Sequence, residues 1–336
     1  MSYRVLMLET GGTFATDRGE DGLRAIGSAS VFDFPDVRRR SEAEGFVFER
    51  ISPFKILSEN MTIRRLEELT AAVRGLESAD FDGVIVTHGT DTLAYSVNLI
   101  AFALGSIDYP LVFVSADHPL ADPRSNGTAN FLAAMTLIAE GEKGVFAVFR
   151  NGDGAVYVHR GGRLRQMDDI HAGFYSQGNI PYGVIENGRF RFNKNEKNRR
   201  QPNGRAGFPS SLLSRGILQL HSYPGLDYRS VPWEKTDAVL VRTYHTGMFC
   251  AAGGGENLDT LLAAAAERDA AVIVSGGSAE EDRYASALRH GDKAVFIPDT
   301  APEALYAKML LSYGTADTRA ALAYVKGDAL GETVRS

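Results

Sequence analysis

Cysteine is nearly absent from this chain: among 336 residues there is one, Cys250. A single thiol cannot close an internal disulfide, so nothing in the sequence calls for an oxidising compartment. Cys250 is read as a small buried apolar side chain. An excess of positive charge is missing too. Lys and Arg total 36 against 42 Asp and Glu, a net charge of −6, which argues against the basic surface that grips nucleic acid or an anionic membrane. No apolar run approaches the ~20 residues of a spanning helix. The opening MSYRVLMLETGG enters a strand pattern at once, with no basic, apolar and cleavable leader. A cytoplasmic location, with no nucleic-acid or membrane partner, is therefore expected.

What remains is an ordinary globular composition, 44% hydrophobic and 23% charged, enough for a sizeable core. The length suggests two domains at ~150 residues each. The first half alternates strand runs with helical patterns. Strands are expected at Tyr3–Leu8, Gly83–Val86, Leu111–Val114 and Val145–Phe149, and helices at Met61–Leu76, Leu93–Leu104 and Phe131–Glu140. Strands separated by helices predict βαβ units and a parallel sheet, and runs as apolar as LVFV fit strands covered on both faces.

From Asn193 the chain becomes polar and basic (NKNEKNRRQPNGRAGFPSS), which reads as a solvated connection. Strand runs then return at Leu218–His221, Ala238–Val241, Ala271–Val274 and Ala294–Ile297, with helices at Leu258–Arg268 and Pro302–Ser312. The expected organisation is a larger α/β domain over 1–193, a linker over 194–211 and a smaller α/β domain over 212–336.

Ligands on open parallel sheets sit beyond the carboxyl ends of the strands. Three polar clusters lie there. Glu9-Thr10-Gly11-Gly12-Thr13 carries two glycines that permit close backbone approach and two hydroxyls. It fits neither a dinucleotide loop nor a Walker loop, and it also fits a plain capped turn. Thr87-His88-Gly89-Thr90-Asp91-Thr92 follows a buried strand and opens a helix, whose free N–H groups favour negative charge. Ser115-Ala116-Asp117-His118-Pro119 is followed by Arg124-Ser125-Asn126-Gly127, where Arg124 and Asn126 could simply pair and hold a loop. A hydroxyl nucleophile needs a proton acceptor and oxyanion donors. Thr13 as attacker, Thr90 and Asp91 as relay, and the N–H groups around Gly12 and Gly89 would meet that need.

TGGTFA at Thr10–Ala15 and THGTDTLAYS at Thr87–Ser96 resemble the two signatures of the bacterial-type L-asparaginases, type I branch. Further likeness runs through SADHPLADPRSNGTAN, RTYHTG at Arg242–Gly247, and Asp299–Leu311. The resemblance implies a two-domain fold assembled as a homodimer or homotetramer, an amino-acid amide as substrate, and no cofactor or metal. It implies that Thr13 accepts the acyl group, that Thr90 and Asp91 form the second threonine–aspartate pair, and that Ser58 and Glu59 grip the substrate's α-carboxylate and α-amino group. Ala116 sits where a backbone carbonyl faces the leaving amide.

Two departures from the family pattern stand out. A lysine usually accompanies the aspartate. Here, counting from Arg160-Gly161 puts Gln166 at that position, and counting back from Phe174-Tyr175-Ser176 puts Arg165 there; no lysine occurs between Lys143 and Lys194. Arginine stays protonated and cannot serve as a base. The loop after Thr13 also lacks the usual tyrosine, with Leu23 near its place and no tyrosine from there to Tyr95. In the C-terminal half His245 is either a surface residue or one that reaches a neighbouring site. The leading reading is hydrolysis of L-asparagine to L-aspartate and ammonia through a threonine acyl-enzyme. The alternatives are a catalytically weak or inactive amino-acid binding protein on the same scaffold, and an α/β protein whose polar loops are caps and turns.

Overall fold

The structure is a computed structural model describing residues 2–12, 16–18, 24–26, 30–76, 80–169, 173–198, 200, 202–210, 212–277 and 294–334. The strands are β1 (Tyr3–Glu9), β2 (Thr16–Arg18), β3 (Arg24–Ile26), β4 (Phe46–Ile51), β5 (Gly83–Thr87), β6 (Pro110–Val114), β7 (Gly144–Arg150), β8 (Val156–Arg160), β9 (Leu164–Arg165), β10 (Tyr175–Ser176), β11 (Gly183–Glu186), β12 (Arg189–Phe192), β13 (Ile217–His221), β14 (Ala238–Arg242), β15 (Ala271–Ser275) and β16 (Val295–Ile297). The helices among the described residues are α1 (Pro35–Glu44), α2 (Ile63–Arg74), α3 (Leu93–Leu104), α4 (Gly127–Ala139), α5 (Leu258–Ala266), α6 (Pro302–Tyr313) and α7 (Thr318–Lys326).

Eight strands form one sheet in the order β12-β11-β8-β7-β6-β5-β1-β4. The five from β4 to β7 are parallel, and β8, β11 and β12 extend the sheet antiparallel. Every residue of β5 and β6 is buried, as two-sided coverage requires. Alternate side chains divide between the faces. Leu6, Leu8, Val84, Val86 and Phe113 pack with α2 and α3; Val5, Met7, Ile85 and Val112 pack with α1 and α4.

The second sheet is all parallel, in the order β13-β14-β15-β16. Its Val239 and Val241 meet Leu258 and Leu261 of α5, while Leu240 and Ile273 meet Leu305 and Met309 of α6 and Val325 of α7. Helix α6 also contributes Ala304, Ala307 and Leu310 to the core around α3. One helix thus serves both cores, which explains why α3 is apolar nearly all round. The α/β architecture with a larger first sheet and a smaller second one is as expected.

The polar stretch read as a solvated connection is in part laid against the first layer. Asn198 is buried and donates to the Tyr182 and Asn193 carbonyls, and Phe208 N–H donates to Phe102 O at 2.9 Å. The end of the described chain is held from two sides. Arg160 Nη2 and Arg163 Nη2 both donate to Gly331 O at 2.6 Å. The next residue, Glu332, pairs with Lys308 of α6 at 2.6 Å, both side chains 1% exposed. The Ala329 and Leu330 N–H groups also donate to the Glu332 carboxylate.

Candidate active site

The strand order reverses at β1: the chain places β4 on one side of it and β5 on the other. Such a switch opens a crevice past the carboxyl ends of the two strands. The Thr10–Gly12 and Thr87–Asp91 segments leave β1 and β5 there.

Three chain segments converge at this crevice. Gly12 N–H donates to Ile56 O at 2.8 Å and Ile56 N–H to Thr10 O at 3.0 Å, which draws the Ser58–Asn60 turn alongside. Gly12 has φ +70°, and a Cβ there would lie 2.2 Å from Gly89 N. A Cβ on Gly89 would lie 2.3 Å from Ser58 Oγ. The two glycines therefore let the backbones and Ser58 meet where no other residue fits.

Ser58, itself buried, donates to Asp91 Oδ2 at 2.7 Å and accepts the Asp91 N–H at 3.2 Å. Thr92 Oγ1 donates to Ser58 O at 3.0 Å. Thr10 is spent on structure: its hydroxyl donates to Thr87 O at 2.7 Å and is buried. Glu59 is exposed on the turn beside Ser58, and Thr90 is half-buried. Ala116, wholly buried, lies just past β6, which neighbours β5. Thr13 and Leu23 lie outside the described residues.

His88 is fully buried between these groups. Its Nδ1 lies 2.8 Å from Gly89 O and its Nε2 2.8 Å from Ser96 Oγ. A carbonyl only accepts, so Nδ1 carries the proton and Nε2 accepts from the serine. Burial is the main cause that pushes its pKa down to about 4, so the ring is neutral and acts as a strut for the turn.

The two positions offered for the missing lysine go separate ways. Gln166 Nε2 donates to Thr90 O at 2.8 Å and its Oε1 accepts the Ala94 N–H at 3.2 Å. Arg165 turns from the crevice. Its Nη1 donates to Gln177 Oε1 at 3.0 Å, its guanidinium lies over the Tyr175 ring, and its Nε stands 3.1 Å from Glu303 Oε2 of α6. Arg242 Nη1 lies 3.7 Å from the other Glu303 oxygen. Both contacts pair by charge without hydrogen-bond alignment, and Glu303 is 1% exposed.

The third polar cluster is a built loop, though not through the pair expected. Arg124 binds Asp122, while Asn126 and Asp117 exchange N–H bonds at 3.0 Å. His245 is exposed. Cys250 is half-buried rather than buried, its thiol 3.3 Å from Ala252 O. Sequence reasoning gave no role to His88 and missed Glu303, which reads locally as the ordinary acidic first turn of a helix.

The family model described as "Asparaginase, N-terminal" matches residues 4–198. An L-asparaginase of Thermococcus kodakarensis is 30% identical over 149 residues, 44% of each chain. One component of the glutamyl-tRNA(Gln) amidotransferase of Haloquadratum walsbyi is 32% identical over 197 residues, 54% of this chain and 41% of that protein. The matched part thus spans about half or less of the length of these curated relatives. Among solved structures, the thermostable L-asparaginase of T. kodakarensis superposes with a TM-score of 0.79 at 23% identity, covering 99% of this chain and 100% of that one. L-asparaginase I of Vibrio cholerae gives 0.78 at 20%, covering 99% of each. Fold, switch-point crevice and matched residues together define an α/β protein of asparaginase type. The chain belongs to the asparaginase family. No described helix is long and apolar enough to cross a membrane.

Proposed function

We propose that the chain is an amidohydrolase that cleaves the ω-amide of a small amino acid, L-asparagine first. The supporting observation is the convergence of Gly12, Ser58, Gly89 and Asp91 at the switch point, directly after the segment that leads to Thr13. In this reading Thr13 Oγ attacks the amide carbon and passes its proton through Thr90 and Asp91 towards the leaving nitrogen. N–H groups around Gly12 and Gly89 hold the oxyanion, and the carbonyl of Ala116 orients the departing ammonia. Ser58 and Glu59 hold the α-carboxylate and α-amino group. Water then cleaves the ester to give L-aspartate. The curated relatives carry two different names, so the likeness supports amide chemistry more than any one substrate.

The assembly is read as a homodimer or homotetramer, each copy having two domains parted at 194–211, with a cytoplasmic location; light scattering and limited proteolysis test the first two points. A second reading, a binding protein that turns over weakly or not at all, draws on Gln166. A neutral amide touches Thr90, and it cannot move a proton as a lysine can. Ammonia release from L-asparagine by the wild type and by Thr13→Ala decides. Activity lost in the variant supports the first reading. No release from any ω-amide, with calorimetric binding of L-aspartate, supports the second.

A further inference from the structure

Helix α3 has a cap problem that its own sequence does not solve. Its N-cap residue, Thr92, makes no side-chain bond to the first turn; its hydroxyl instead donates to Ser58 O. The Ala94 N–H is one of the first-turn donors that lack an intrahelical partner. It is met by Gln166, seventy-two residues on, whose other amide atom donates to Thr90 O. One planar group thus spans the Thr90–Ala94 turn, binding an acceptor at one end and a donor at the other.

The segment that carries Gln166 is laced to the same helix. Asn98 Nδ2 donates to Leu164 O at 2.8 Å and its Oδ1 accepts the Gly162 N–H at 2.8 Å, with the side chain wholly buried. Arg165 ties the segment to Glu303 of α6 on its other side. Gln166 therefore reaches the turn from an anchored strand end.

We infer that Gln166 is a positioning residue for the candidate site: its uncharged amide, supplying donor and acceptor together, fixes the Thr90–Asp91–Thr92 turn against Ser58. The inference rests on the reading of this crevice as the active site, but the clamp can be measured without it. A lysine here could donate to Thr90 O and would leave Ala94 N–H unmet. A glutamic acid reproduces both bonds only while protonated.

The test uses Gln166→Met and Gln166→Glu in the full chain. Gln166→Met is expected to speed deuterium exchange of the Ala94 N–H and to lower kcat/KM for L-asparagine about 10- to 100-fold. Gln166→Glu is expected to approach wild type near pH ~5 and to match Gln166→Met near pH ~8, an added pH dependence that simple loss of packing does not produce. The charged groups bearing on that carboxyl are Asp91 on the turn, Arg165 before it, Asp168 after it, and Glu303 beyond Arg165. Unchanged Ala94 exchange in Gln166→Met, or one shared pH profile for Gln166→Glu and wild type, overturns the inference. If the wild type releases no ammonia, the functional reading fails, and exchange at Ala94 in both variants, followed across pH, still decides the clamp.

Discussion

Ser58 and Asp91 hold each other twice. The serine hydroxyl donates to the Asp91 carboxylate at 2.7 Å and accepts the Asp91 main-chain N–H at 3.2 Å. The carboxylate is thereby aimed by a residue that arrives on another segment. Removing the hydroxyl in Ser58→Ala frees the aspartate while leaving most buried area intact. The expected result is about a tenfold or greater loss of affinity for L-aspartate in calorimetry, with a stability change near ~1 kcal/mol. A large fall in melting temperature with unchanged affinity would assign the pair to folding alone.

Gly12 and Gly188 share a left-handed backbone, φ +70° and +72°, in very different surroundings. A Cβ at Gly188, in the β11–β12 turn, meets nothing within 4 Å, whereas at Gly12 it meets the Gly89 backbone at 2.2 Å. Gly188→Ala should cost about 1 kcal/mol from its backbone alone. Gly12→Ala should cost at least about 2 kcal/mol more and abolish ligand binding. Denaturant melts of the two variants check this, and equal losses would show that the close approach yields easily.

Much of this was legible in the residues. Strand and helix patterns with strong apolar runs fell where expected, α3 to the residue at Leu93–Leu104. Two of the missed pieces show why. Strand β4 (FVFERI) lies at a sheet edge with Val47 and Ile51 exposed, so its pattern is weak, and the β11–β12 hairpin carries arginines on its open side. In the site, Gly89 and Asp91 were read from the polar cluster after β5, and Ser58 only from the family resemblance. The Gln166 clamp and the Arg165–Glu303 contact join residues 72 and 138 positions away, and no local periodicity encodes such pairing.

Two buried histidines make stability depend on acid. Burial holds the pKa of His88 near 4 and that of His159 near 3, against an ordinary 6.5. The unfolded chain therefore binds protons first as pH falls. The stability contribution is complete above about pH 6.5 and is lost as pH drops through the window towards each folded value. On the order of 3 kcal/mol per histidine is at stake. Melting temperature should fall steadily from about pH 6.5 to 4, and His159→Phe should lessen that slope. A flat profile over this range would contradict the burial argument.

Lys308 and Glu332 form a pair in which neither charge reaches water. Glu332→Ala strands the ammonium and should cost about 3–5 kcal/mol. Replacing both, Lys308→Met with Glu332→Leu, should recover much of that loss. Denaturant unfolding of the single and double variants measures it; a single variant within ~1 kcal/mol of wild type would mean that water enters the site.

The segment 327–334 touches Arg160 at the end of β8, Arg163 just beyond it, and Lys308 on the helix common to both cores. It leaves the ribosome after every strand it holds. The large sheet can form while synthesis continues, as earlier segments generally do, yet its latch arrives only when the second sheet is complete. A product broken off within the second half would keep the motif-bearing loops and lose the Gly331 carbonyl that Arg160 and Arg163 share.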